Sequence, residues 1–250
     1  MSYLGVDCAV PVKLDGAHRL TENGVSFVGR YLVPESMWKA LTASEAKILR
    51  DAGLAILLCY ELDADRVKGG ANDGATDGKR ARDLAKAMGI PHGTAIYFAV
   101  DYAPSESEYS TIERYFRAAK AACSPYAVGI YGSYYVVEEM KKRIPDLYVW
   151  QCVAWSGGKV SPVRNVYQYQ WSGGPDSTAM QEKVGFAVDL NSCDDLAGAA
   201  LWLPKYEENK PWYADDMAWA EERGYIRDGR PNDPLTRAEL ATVLHRVLGD

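Results

Sequence analysis

Over the first two hundred residues, short apolar runs alternate with longer amphipathic segments, and this alternation leaves few folds open. Residues 4–8, 25–32, 54–62, 94–101, 127–132, 147–152, 166–171 and 186–190 read as strands. The run 54–62 (LAILLCYEL) is almost continuously apolar, as expected of a strand buried on both faces. Between the early strands lie helical segments. One opens at Thr42-Ala43-Ser44-Glu45, a capping-box pattern, and stops at Gly53; others cover about 76–88, 106–122 and 134–143. Repeated strand–helix alternation predicts a parallel sheet with helices outside it. Eight strands in about two hundred residues fit an α/β (β/α)₈ TIM-type barrel, degenerate in its second half, where the connections are short and weakly helical. An open doubly wound sheet is the alternative, but the G-x-G-x-x-G turn that usually follows its first strand is absent.

After residue 203 the texture changes. Residues 204–210 are polar and bracketed by Pro204 and Pro211, as in a linker, and 211–250 read as a small helical hairpin. The expected organisation is therefore a barrel over 1–203, a linker over 204–210 and a helical module over 211–250. The Gly-rich stretch 69–74 reads as a plain flexible loop at the barrel mouth, since no G-K-[ST] follows it.

Charge and composition exclude several functions. A formal net charge of −6 gives no basic footprint for nucleic acid. No apolar run has the length of a membrane span, and the N-terminus enters a strand pattern directly, with no signal-peptide pattern. The expectation is synthesis in the cytoplasm with release from the cell, or an extracellular protein. Cys8, Cys59, Cys123, Cys152 and Cys193 are odd in number and form no C-x-x-C pair, which favours buried thiols. His18, His92 and His245 are scattered, so neither a metal nor a cofactor is expected.

Barrel enzymes carry their chemistry at the C-terminal ends of strands. Those ends supply Asp7; Arg30 and Tyr31; Tyr60 and Glu61; Asp101; Tyr131; Trp150 and Gln151; Gln168 and Tyr169; and Asp189 with Asn191. This is a ring of carboxylates interleaved with aromatic and amide side chains. Glycoside hydrolysis needs two carboxyl roles around one bond, a proton donor and a base or nucleophile. Asp7, Asp101 and Asp189 are the catalytic candidates, with Glu61 either a fourth or a partner holding Arg30. The remaining residues of the ring are candidates for substrate binding. Tyr and Trp offer flat faces to sugars, although most of the 17 Tyr and 7 Trp are accounted for by packing.

The segments YLGVDCA, VGRYL, CYEL, IYFAVDY, GIYG, YVWQ, YQYQW and FAVDLN resemble, in order and spacing, the glycoside-hydrolase-like family known as domain of unknown function 1906. That family is similar to the glycoside hydrolase family 25 muramidases, barrel lysozymes that cut bacterial peptidoglycan. The resemblance covers about residues 3–203. It implies Asp7 at the end of strand one, Asp189-Leu190-Asn191 in place of D-x-N on strand eight, and Tyr167-Gln168-Tyr169 on strand seven. Where the muramidases carry D-x-E on strand four, this chain has Ala99-Val100-Asp101. Asp101 then stands at the position of the acid with a shorter reach, and one carboxylate is lost. Residues 211–249, with Leu235-Thr236-Arg237-Ala238-Glu239-Leu240, resemble an S-layer homology module, which implies a secondary wall polymer as ligand. The resemblance implies a peptidoglycan-directed, endolysin-like glycosidase with cell-wall glycan as its partner. Loss of the strand-four carboxylate leaves open a catalytically inactive glycan-binding protein on the same barrel.

Overall fold

A computed structural model describes residues 2–204 of the chain. The linker and helical module expected over 204–250 lie outside the described residues, apart from residue 204 itself. Eight strands close into one barrel in sequence order: β1 (Tyr3–Asp7), β2 (Val25–Tyr31), β3 (Ala55–Tyr60), β4 (Ala95–Ala99), β5 (Ala127–Gly132), β6 (Tyr148–Cys152), β7 (Val166–Gln170) and β8 (Asp189–Cys193). Closure removes the open-sheet alternative. Six helices surround the barrel: α1 (Leu14–Glu22), α2 (Ala43–Asp51), α3 (Gly70–Ala87), α4 (Tyr109–Cys123), α5 (Tyr134–Arg143) and α6 (Pro175–Val184). Only a loop joins β6 to β7. None of the described helices is long and apolar enough to cross a membrane.

The strands alternate between two apolar environments, as the period of two demands. Phe27, Leu57, Tyr97, Trp150 and Val166 fill the barrel interior, whereas Val28, Leu58, Phe98 and Val149 pack outward against the helices. β3 and β4 are buried along their whole length for this reason. The segment after β8 closes the bottom of the barrel. Tyr97 Oη donates to the Ala199 carbonyl at 2.7 Å, Ala95 N donates to the Ala200 carbonyl at 2.8 Å, and Trp202 bridges antiparallel to Ile56. All five cysteines are free and buried.

Two expectations need correction. Residues 69–74 are not a loop: a 3₁₀ turn over Arg66–Gly69 runs straight into α3. The glycines serve helix packing. A Cβ at Gly74 would lie 2.2 Å from the Tyr115 carbonyl oxygen, and one at Gly78 would lie 2.4 Å from that of Ala119. The missing side chains let the backbones of α3 and α4 touch. The second correction concerns β8, which spans Asp189–Cys193 rather than 186–190 and runs antiparallel to both β1 and β7. Asp189 is thus its first residue. The reversed direction brings that first residue to the same end of the barrel as the last residues of β1 to β7, and in register Asp189 faces Asp7.

Candidate active site

The mouth is built on strand parity. Asp7, Tyr31, Glu61, Asp101, Tyr131, Trp150, Gln168, Asp189 and Asn191 all fall on the inward register of their strands, or continue it just beyond the strand end, and they gather at one end of the barrel. Gly29, paired with Asp7 across β1 and β2, makes room for it: a Cβ there would lie 2.6 Å from the Asp7 Cβ.

Asp7 is buried, and its Oδ2 accepts from Asn191 Nδ2 at 2.6 Å and from Gln168 Nε2 at 2.9 Å. The same Gln168 nitrogen donates to Asp189 Oδ2 at 3.0 Å, so one amide ties the two carboxyls together. The amides cannot turn round. Trp150 Nε1, a donor only, meets Asn191 Oδ1 at 2.8 Å and so directs the Asn191 NH₂ at Asp7. The Gln168 amide is fixed in the same sense by the two carboxyl oxygens its NH₂ faces, and Tyr131 Oη donates to its Oε1 at 2.9 Å. Burial, and then the charge of Asp189, push the Asp7 carboxyl up to about 7, against the lowering effect of the two amides. Asp189, half-buried, is also raised by burial. The charge of Asp189 thus works against ionisation of Asp7.

In a closed eight-strand barrel, β4 stands across from β8. Asp101, two residues past the end of β4 at Ala99, is half-buried and raised by burial and by Glu61. Lys39 opposes that rise. Its ammonium pairs with Glu61 at 3.2 Å and lies 4.3 Å from the centre of the Tyr31 ring. Rings of Tyr131 and Trp150 meet edge to face at 4.5 Å along the β5–β6 wall.

Four expected binding residues sit elsewhere, and each has outward parity. Arg30 is fully buried between β2 and α2, with Nε 2.6 Å from Glu45 Oε1 and Nη1 donating to the Cys8 carbonyl at 2.5 Å. Its partner is therefore Glu45, and Glu61 does not hold it. Tyr60 points at α3, where Asp77 accepts from it at 3.3 Å and from Tyr115 at 2.9 Å. Gln151 is buried under the β6–β7 loop and binds the Lys159 carbonyl and Ser161 N. Tyr169 packs against the outer apolar layer. Lys39 was not anticipated. It lies in the β2–α2 connection, where periodicity gives no orientation. Among the described residues, no group of three or more His, Cys, Asp or Glu side chains is spaced to hold a metal ion.

The profile of the Rv2525c-like, glycoside hydrolase-like domain family matches residues 18–196. The chain belongs to that family. The uncharacterized protein YbfG of Bacillus subtilis (strain 168) is 32% identical in an alignment of 143 residues that covers 50% of this chain and 20% of YbfG, so the chain spans about a fifth of that relative. The Tat-secreted protein Rv2525c of Mycobacterium tuberculosis, solved with L-tartrate, superposes with a TM-score of 0.66 at 24% identity, over 80% of this chain and 98% of its own. The modular autolysin LytC of Streptococcus pneumoniae, solved with a synthetic peptidoglycan ligand, has the same barrel at a TM-score of 0.54 and 14% identity, over 76% of this chain and 46% of LytC.

Proposed function

We propose that the barrel mouth hydrolyses an O-glycosyl bond of bacterial cell-wall glycan, as a muramidase- or endolysin-like domain acting at the wall. One observation carries this reading. A carboxyl pushed up to about 7, Asp7, is tied through one amide to a second carboxyl, Asp189, while a third, Asp101, stands on the opposite strand. Glycoside hydrolysis asks for a proton donor on one side of the bond and an ionised carboxylate on the other. In this reading Asp101 donates the proton, which burial and Glu61 help it to keep. In this reading Asp189 is the opposing carboxylate, and its charge helps Asp7 to hold a proton. Gln168 and Asn191 hold both in place, and Tyr31 and Tyr131 offer ring faces to the sugar. The glycan partner is supported by the family to which the chain belongs and by the synthetic peptidoglycan ligand with which LytC was solved.

A second reading, glycan binding without hydrolysis, is favoured by Ala99. It lies inside the barrel two residues before Asp101 and supplies no carboxyl. Clearing of purified walls, followed together with reducing-end release, separates the two. Under the first reading the full chain does both, and Asp101→Asn loses at least about a hundredfold in rate. Wall binding with no reducing ends from the wild type would select the second. We also propose, on its resemblance to an S-layer homology module, that the segment 211–250 holds the chain on a secondary wall polymer. A chain ending at residue 210 should then sediment less with intact walls and no differently with walls stripped of that polymer.

A further inference from the structure

Five tryptophans lie among the described residues. Trp150 and Trp202 are buried, whereas Trp38, Trp155 and Trp171 are 69%, 46% and 61% exposed. The three exposed ones follow the C-terminal ends of β2, β6 and β7, so all of them ring the mouth. Tyr135, exposed at the start of α5, stands on the same rim after β5.

Trp155 is the most informative of these. Its φ is +53°, in the left-handed region that a bulky side chain occupies only under constraint. The constraint is visible. Ser156 Oγ, buried beneath it, donates to the Cys152 carbonyl at 2.6 Å and accepts from Tyr134 N at 2.9 Å. Gln151 reaches the Lys159 carbonyl at 2.8 Å and accepts from Ser161 N at 2.6 Å. A buried polar network thus fixes a strained backbone whose side chain faces water. Packing does not explain an indole this exposed. Turn geometry alone does not explain it either, because Gly157 and Gly158, at φ +59° and +75°, already fill the left-handed positions of the same loop with glycine. Ala200, at φ +51°, is the other such non-glycine residue and lies in the barrel floor, whereas Trp155 combines the strain with an exposed aromatic at the mouth, where strained backbone often serves a ligand. Beside it, the Tyr134 and Tyr135 rings meet edge to face at 5.4 Å, and the Lys159 ammonium lies 5.4 and 4.9 Å from their centres. A Cβ at Gly157 would come within 3.1 Å of the Tyr135 hydroxyl, so the loop and α5 are closely fitted.

We infer that Trp155, with Tyr135 and Lys159 alongside, is a saccharide subsite on the rim outside the carboxylate cluster. The indole takes the apolar face of a pyranose ring belonging to an extended glycan strand, and the neighbouring hydroxyl and ammonium take its polar groups. This subsite rests on the reading of the mouth as a glycan site.

The test uses the full chain carrying Asp101→Asn, so that the probe survives, and isothermal titration with chitotetraose. Adding Trp155→Gly should weaken binding about tenfold. The melting temperature should hold or rise, because glycine accepts the left-handed backbone; Trp155→Tyr should keep most of the affinity. Unchanged affinity in Trp155→Gly overturns the subsite, and so does a sharp fall in melting temperature, which would make Trp155 a structural residue. Walls cleared by the wild type together with unchanged affinity in Trp155→Gly would sink the subsite alone. Walls left intact together with Trp155-dependent binding would sink the hydrolase and keep the subsite. Failure of the Asp101→Asn chain to bind the tetramer overturns the subsite, and overturns the hydrolase as well only where the wild type leaves walls intact.

Discussion

Asp7 is the mouth aspartate whose titration moves furthest. Its carboxyl rises from an ordinary 3.8 to about 7 in the folded chain. Between those values the folded protein keeps a proton that the unfolded chain has released, so stability falls as pH rises through that window, and the full loss is present above about 7. Asp7→Asn removes the ionisation while an amide oxygen can still accept from Gln168 and Asn191. The variant should gain on the order of 2 kcal/mol over wild type at pH 8 relative to pH 5, read from urea midpoints at the two pH values. A wild-type stability that does not fall across this range would contradict the assignment. Arg30 makes the opposite case. Its guanidinium is enclosed with Glu45, so Arg30→Met should cost about 3–5 kcal/mol by leaving a buried carboxylate unpaired, with glycan affinity intact wherever the variant folds. Both roles can be traced to the sequence through parity. Asp7 continues the inward register of β1, whereas Arg30 and Tyr60 each sit one residue out of phase with their inward neighbours Tyr31 and Glu61. Reading whole strand ends as one group merges the two faces; counting by twos from the apolar interior separates them.

Among the elements, α3 diverged most from expectation. Its first turn, Gly70-Ala71-Asn72-Asp73-Gly74, has the composition of a loop, and glycine is a poor helix former. Tertiary packing overrides that preference, because the backbone contact with α4 requires the absence of side chains at Gly74 and Gly78. Gly74→Ala should therefore destabilise by about 2 kcal/mol, although alanine improves intrinsic helix propensity by roughly 1 kcal/mol. A urea midpoint that rises would contradict the close approach. β8 diverged in direction. Its carboxylate was legible as a mouth residue, but the rule that assigns function to strand ends holds for parallel strands, and Asp189 reaches the mouth as the first residue of a reversed one. Nothing local in Phe186-Ala187-Val188-Asp189-Leu190 encodes direction. Lys39, on an irregular connection, carried no periodic signal at all.

At the scale of the whole molecule, the barrel was legible because eight apolar runs at regular spacing permit little else. Pairing of β8 with both β7 and β1 closes the barrel, and residues 199–202 seal the floor. The result is a domain with one working end: carboxylates at its centre, amides fixing two of them, and exposed tryptophans on its rim. The central claim is that this end cleaves wall glycan with Asp101 as proton donor. The most direct measurement is reducing-end release from purified peptidoglycan by the full chain and by Asp101→Asn at neutral pH. The account predicts release by the wild type and a loss of at least about a hundredfold in the variant. Undiminished release by Asp101→Asn, or none by the wild type, would contradict it.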